Sequence, residues 1–319
     1  MESKYSLKNT ILFRVLPIII PFVVYMMINA VDTVDYKYYA IQNDFLKSTS
    51  TLAPWMPDLP IAHLIFYAFT LAFPQSFAFK LCMALTTAIT ILLLSYVTDE
   101  VNIVNKSLPS IMFAFHPYTI LLLRYGMWKN VLSTALFIAF VLFSMRKNSL
   151  SYVMAGLILV THSFGAGMLA LYTLVNLYNT QKINKKYVII GLSLLFILLS
   201  SIHITDWENP WWTYSQFKIL TTLNFSSIRL YEALTYLPVA GSLLSFLVSS
   251  KTQLGKTFST IGIILIALST LTNQTGSSQR FLYGTVAPAS ITLSSQPEWF
   301  WKVIIGLTIM ASIPMILLY

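Results

Sequence analysis

Two carboxylates three residues apart, Asp32 and Asp35, follow the first long apolar run, in the stretch Ala30-Val31-Asp32-Thr33-Val34-Asp35-Tyr36-Lys37-Tyr38-Tyr39. An acid where an apolar helix meets water can stay ionised, coordinate a cation or take a proton. Other reactive groups stand at similar junctions. Arg124 and Lys129 flank Trp128. A guanidinium there suits a phosphate or pyrophosphate, and an indole stacks on a sugar ring or anchors at the headgroup layer. An arginine that snorkels to lipid phosphates fits the same position. His162 separates two short apolar pieces beside Gly165 and Gly167. A neutral imidazole at such a break can relay a proton, bond a substrate hydroxyl or cap the broken helix. His63 lies just past the rigid turn Pro54-Trp55-Met56-Pro57-Asp58-Leu59-Pro60 and can face the same external space as the acids. Arg280 follows a polar run and precedes an apolar one, which makes it a candidate phosphate ligand. Trp211 and Trp212, beside Asp206 and Glu208, either anchor at an interface or grip a sugar.

The elements that must position these residues follow from composition. The 319 residues are 56% hydrophobic and 10% charged, with a mean hydropathy of +0.71. A soluble domain carries about 25% charged residues, so this chain lacks the polar surface to coat a globule in water. Backbone in lipid must be paired within helices or closed barrels, and the apolar runs lack the alternation of a barrel strand. The expected fold is therefore all-α: a polytopic transmembrane helical bundle of about nine to eleven spans, some short or broken. The net charge of +9 does not point to nucleic acid, because the Lys and Arg residues sit mostly in short loops, where topology explains them. Cys82 stands alone inside an apolar run, which excludes an intramolecular disulfide and a thiolate metal cluster.

The run from Thr10 to Val31 is too long for a signal peptide core and reads as an uncleaved first span. Lys4, Lys8 and Arg14 around it favour a cytoplasmic N-terminus, and the basic loops at 146–147, 182–186 and 251–256 mark the same side. The chain then reads as one transmembrane domain, 1–319, in the cell membrane. A first external loop covers 32–76 and holds a short interfacial helix; a second covers 206–229. Spans are expected over Phe77–Thr98, Leu108–Leu123 and Val131–Met145. An interrupted pair, Tyr152–Thr161 and Met168–Tyr178, is joined by the Gly-rich stretch between them, and such breaks are tolerated where they line a cavity. No Walker loop, GxGxxG, HExxH or Gly-x-Ser-x-Gly motif occurs.

The order of these features resembles the GT-C superfamily of polyprenyl-phosphate-dependent glycosyltransferases. Those enzymes place an acid in the first external loop, where Asp32 and Asp35 stand, and follow it with a Pro-rich entry to a short apolar helix, as Pro54–Pro60 does. The block from His116-Pro117-Tyr118 through Arg124-Tyr125-Gly126-Met127-Trp128-Lys129-Asn130 to Thr161-His162-Ser163 is also similar to membrane polysaccharide polymerases of the exopolysaccharide type. Many relatives carry a second acid in the next external loop, where this chain has Arg124, Trp128 and Lys129. That departure leaves catalysis to the first loop.

The resemblance implies sugar transfer from a polyprenyl-phosphate carrier to a glycan or protein acceptor at the external face. Asp35 or Asp32 would deprotonate the acceptor, and Arg280, with Arg124, would offset charge on the departing lipid phosphate. Trp128, Lys129, His162 and His63 would contact substrate. A divalent cation is compatible with the acids and not strictly required. Beside this enzyme or a glycan polymerase stand two readings of another class: a transporter, and a non-catalytic subunit with membrane partners.

Overall fold

The computed structural model describes residues 15–27, 34–50, 60–100, 108–124, 126–180, 252–271, 275–293 and 296–317. Within them every regular element is a helix. In chain order these are α1 (Leu16–Met27), α2 (Val34–Thr49), α3 (Pro60–Thr70), α4 (Gln75–Glu100), α5 (Leu108–Ala114), α6 (Pro117–Arg124), α7 (Trp128–Met145), α8 (Leu150–Leu159), α9 (Ser163–Asn179), α10 (Gln253–Leu271), α11 (Thr275–Leu293) and α12 (Glu298–Leu317). Two of them, α4 and α7, are long and apolar enough to cross a membrane.

These two long helices form the frame. Arg146, just past α7, pairs with Glu100 at the end of α4 (Nε–Oε1 2.6 Å). In the first turn of α7 the Trp128 indole N–H donates to Thr86 Oγ1 in α4 at 3.0 Å. The two helices therefore run parallel, and what returns the chain between them is not the single helix expected over Leu108–Leu123. It is the pair α5–α6, broken at His116. Proline at 117 offers no N–H to the preceding turn and pushes His116 out of helical geometry. The break frees carbonyls that must be paired in a dry interior. The Tyr25 hydroxyl of α1 donates to the Ala114 carbonyl, and the Ser312 hydroxyl of α12 donates to that of Phe115.

The interrupted pair is also arranged differently from expectation. Helix α8 turns back from α7 through residues 146–149 and ends at Leu159, and α9 begins at Ser163, so the break falls at 160–162 and the glycines are helical. Packing explains this. A β-carbon on Gly165 would lie 2.7 Å from Ser133 Cβ and 3.1 Å from Ile158 Cγ2. Glycine here serves close approach of α9 to α7 and α8, not a loop. Tyr172 then meets Phe137 and Phe140 with ring centroids 5.7 and 6.0 Å apart, so α9 runs parallel to α7. Together α8 and α9 make a hairpin with both ends at the Arg146 end of the bundle. Gly165→Ala is expected to lower stability by about 1–3 kcal/mol through overpacking, read as an earlier melting transition of the purified protein. Unchanged melting would mean that α9 can move away from Ser133.

Beyond the hairpin, Asn179 Nδ2 donates to Thr257 Oγ1 at 3.2 Å, which starts α10 at the same end. Helix α11 packs back along α10, and a β-carbon on its Gly284 would meet Phe164 Cζ at 2.8 Å. The residues Thr275–Arg280 thus begin α11 at the opposite end, where α4 and α7 also start.

Much of the expected first external loop is helical as well. In α2 the buried residues Tyr39, Gln42, Asn43 and Leu46 recur at helical spacing. The Thr70 hydroxyl donates to Asn43 Oδ1 at 2.8 Å and Gln75 Nε2 to Asp44 Oδ1 at 2.7 Å, which docks α2 on α3 and on the start of α4.

Candidate functional site

The aromatic side chains of α2 decide what gathers at the end of the bundle where α4 and α7 begin. Tyr39 is 2% exposed, and its ring centroid lies 4.8 Å from that of His63, 5.4 Å from Phe79 and 5.5 Å from Trp128. Tyr38, half-buried, meets His63 edge-on at 5.4 Å. The Lys129 ammonium sits over both tyrosines, with Nζ 4.8 Å from the Tyr38 centroid and 5.5 Å from that of Tyr39. Both distances fall within cation–π range. His63 and the adjacent Trp128 and Lys129, named from two separate parts of the sequence, therefore share one cluster built by α2, α3, α4 and α7.

The elbow before α7 aims this cluster. The Met127 N–H donates to the Leu122 carbonyl (3.0 Å) and the Gly126 N–H to that of Leu123 (3.1 Å), with Gly126 at φ 72°. This is a glycine-terminated helix end in which only residue 126 must take left-handed backbone. Helix α7 consequently starts at Trp128, inside the loop expected over 124–130, and α6 ends at Arg124.

The chemistry open to each residue now differs. Trp128 is 1% exposed, its indole N–H is engaged, and Tyr39, Phe66 and Phe79 surround its ring. It has no face to offer a sugar and acts as the packing anchor of the cluster. His63 is 2% exposed, and burial pushes its imidazole down from 6.5 to about 4. On α3, which is too short to span a bilayer, this histidine stays neutral at physiological pH. Between those two values the unfolded chain binds the extra proton, so the contribution is complete above 6.5 and is lost as pH falls toward 4. Melting of the wild-type protein should drop over that window more steeply than melting of His63→Phe. Parallel profiles for the two proteins would contradict a buried neutral His63.

His162 lies elsewhere. It is the N-cap of α9 and its Nδ1 accepts the Phe164 N–H at 3.0 Å. That bond places the ring proton on Nε2, so the side chain closes the helix break. Next to it Ser133, Thr134, Phe137, Phe164, Gly165, Met168, Gly284 and Ala287 line a niche between α7, α9 and α11, with room for little more than a water molecule. Of the expected acids and guanidinium groups, three are placed by the helices that carry them. Asp35 is the second residue of α2, one turn before Tyr38 and Tyr39. Arg280 is on α11, one turn before Tyr283 and Gly284, rather than after a loop, and Arg124 ends α6. Asp32, Asp206, Glu208, Trp211, Trp212 and the whole segment 206–229 lie outside the described residues. Among the described residues no group of three or more His, Cys, Asp or Glu could hold a metal ion.

Tyr38, Tyr39 and Phe79 were not singled out from the sequence. For the two tyrosines the signal is the helical recurrence of buried positions in α2, hidden because Gln42 and Asn43 occupy two of them. Comparison of the chain with protein-family models, with curated proteins and with solved structures finds no match.

Proposed function

We propose that the chain is a multi-pass membrane glycosyltransferase of the GT-C kind. It would move a sugar from a polyprenyl-phosphate carrier to a glycan or protein acceptor at the outward face, taken as the end where α4 and α7 begin. The membrane part is supported by an inverted surface. Ile19 (50%), Tyr152 (81%), Trp299 (68%) and Met310 (64%) are exposed, whereas Thr86, Thr87, Thr90 and Ser290 are buried. Each of those four hydroxyls donates to a backbone carbonyl one turn earlier, as polar groups in lipid require. The basic residues Arg146, Lys147 and Lys256 lie at the other end, consistent with its being cytoplasmic.

The observation that carries the enzymatic part is the docking of α2 on α7 through Tyr38 and Tyr39. It brings the helix that carries Asp35 in its first turn against Lys129. In the proposed step the acceptor hydroxyl attacks the anomeric carbon and the bond to the lipid phosphate oxygen breaks. The lipid phosphate leaves with the electron pair, and the hydroxyl proton passes to Asp35, with Asp32 beside it in sequence. Lys129 and Arg280, with Arg124, offset the charge developing on the phosphate. A resident metal ion is not needed for that balance. A non-catalytic membrane subunit is the second reading, favoured by the closed packing around Trp128 and His63. Arg280→Ala separates the two: it should weaken binding of polyprenyl phosphate in detergent micelles about tenfold, the worth of one charge-assisted contact. An unchanged isotherm removes Arg280 from the site, and absence of binding by the wild-type protein favours the subunit.

A further inference from the structure

We infer that a buried water molecule joins α6 to α7, held by His116 Nε2, Thr119 Oγ1 and Asn130 Oδ1. All three atoms are buried and have no hydrogen-bond partner among the described residues, and the residues are 0, 0 and 2% exposed. The break before Pro117 accounts for the first two. His116 caps α6 through its Nδ1, which accepts the Tyr118 N–H at 3.3 Å and so leaves the ring proton on Nε2. Thr119 departs from a habit of this chain. The buried hydroxyls of Thr86, Thr87, Thr90, Thr134 and Thr308 each donate to the carbonyl four residues earlier. For Thr119 that carbonyl belongs to Phe115, on the far side of the break, and the Ser312 hydroxyl of α12 donates to it. The Thr119 hydroxyl is left one turn from His116, to whose carbonyl the Thr119 N–H donates at 2.9 Å.

Asn130 comes level with these groups because α6 and α7 run antiparallel across the elbow between them. The Met127 N–H closes that elbow on the Leu122 carbonyl, and about one further turn along each helix brings Thr119 opposite Asn130. Asn130 is held firmly there. Its own carbonyl accepts the Ser133 and Thr134 hydroxyls at 3.0 and 2.9 Å, and Trp128, two residues before it, is anchored by Thr86. The chemistry of the three groups selects the ligand. An imidazole N–H only donates, a hydroxyl does either, and an amide oxygen only accepts. A bare cation would face the imidazole proton, and an anion would face the amide oxygen. Water both donates and accepts, and about three partners are what a buried water takes. Leaving three polar atoms unpaired in a dry interior costs more than immobilising one water. The inference does not depend on the glycosyltransferase reading. Its consequence is positional: α6 ends at Arg124, and Lys129 precedes Asn130 on α7. The water sets the spacing of the two helices that bear these cations.

The test joins an experimental map of the wild-type protein to the melting of variants. The map should show an ordered water about 2.7–3.2 Å from each of the three atoms. Thr119→Val keeps the shape of the side chain and deletes its hydroxyl. With the water in place the substitution removes a partner, and melting of the purified full-length protein should fall by about 2–4 °C, the shift that one hydrogen bond makes. Without the water it relieves an unpaired buried hydroxyl, and melting should stay or rise. Asn130→Leu reads the same contact from α7. The double variant Thr119→Val/Asn130→Leu should lose clearly less than the sum of the two single shifts, because both act through one molecule. If Asn130→Leu does not fold, the map and Thr119→Val decide between them. A map with no density among the three atoms overturns the inference, and so does Thr119→Val melting at or above wild type. Additive shifts in the double variant overturn it as well.

Discussion

Membranes carrying Asp35→Asn are expected to form product at a rate about 10²–10⁴ times lower than wild type, the range for loss of a general base. The protein should still elute from a detergent gel-filtration column at its native position. The substitution keeps the shape of the side chain and removes only its capacity to hold a proton. Asp35 is the second residue of α2, where a carboxylate also favours the positive end of the helix. That interaction is worth about 0.3–1 kcal/mol at an exposed end, too little to undock a helix held by Tyr39, Asn43 and Leu46. Asp32→Asn is the companion measurement. If Asp32 alone loses activity, the base is one turn earlier in sequence than assigned, and undiminished product from both variants removes the first external acids from the chemistry.

The largest expected effect on stability belongs to Trp128. Trp128→Ala should cost about 3–5 kcal/mol, as for other fully buried large aromatics. It would empty the space among Tyr39, Phe66 and Phe79 and leave the Thr86 hydroxyl without the indole N–H that it accepts. Because Trp128 begins α7, the loss would also loosen Lys129 and the docking of α2. Trp128→Phe, which restores most of the volume without the N–H, should recover more than half of the melting temperature. Such recovery would assign Trp128 to packing. Loss of activity in Trp128→Phe with native melting would instead return it to direct contact with substrate.

The helical character of the chain was legible from composition, and so were the long helices: Gln75–Glu100 extends the expected span by two residues at each end, and Trp128–Met145 begins three residues early and ends where expected. Breaks were harder to read. The break before Pro117 was not expected, because an apolar run with a buried histidine looks continuous to any measure of hydrophobicity. In the Gly165–Gly167 stretch two glycines suggested a loop, whereas the nearest atoms of Ser133 and Ile158 show that Gly165 is there for helix contact. Spacing cannot separate these cases, because the requirement comes from a helix 32 positions away in the chain. The site divides the same way. His63, Trp128 and Lys129 were picked out one by one from their junctions, but that they meet depends on Tyr38 and Tyr39, whose interfacial character masked their role as the joint between α2 and α7. Trp128 shows the reverse limit, since an indole at a helix start reads alike whether it grips a sugar or fills a core.

The most direct test of the proposed chemistry is an experimental map of the protein with polyprenyl phosphate bound in a lipid nanodisc. Headgroup density between Lys129 and Arg280, with the Asp35 carboxylate facing it, is the result expected. Lipid confined to the outer flanks of the bundle, with Asp35 turned to bulk solvent and the ends of α4 and α7 packed shut, would contradict it.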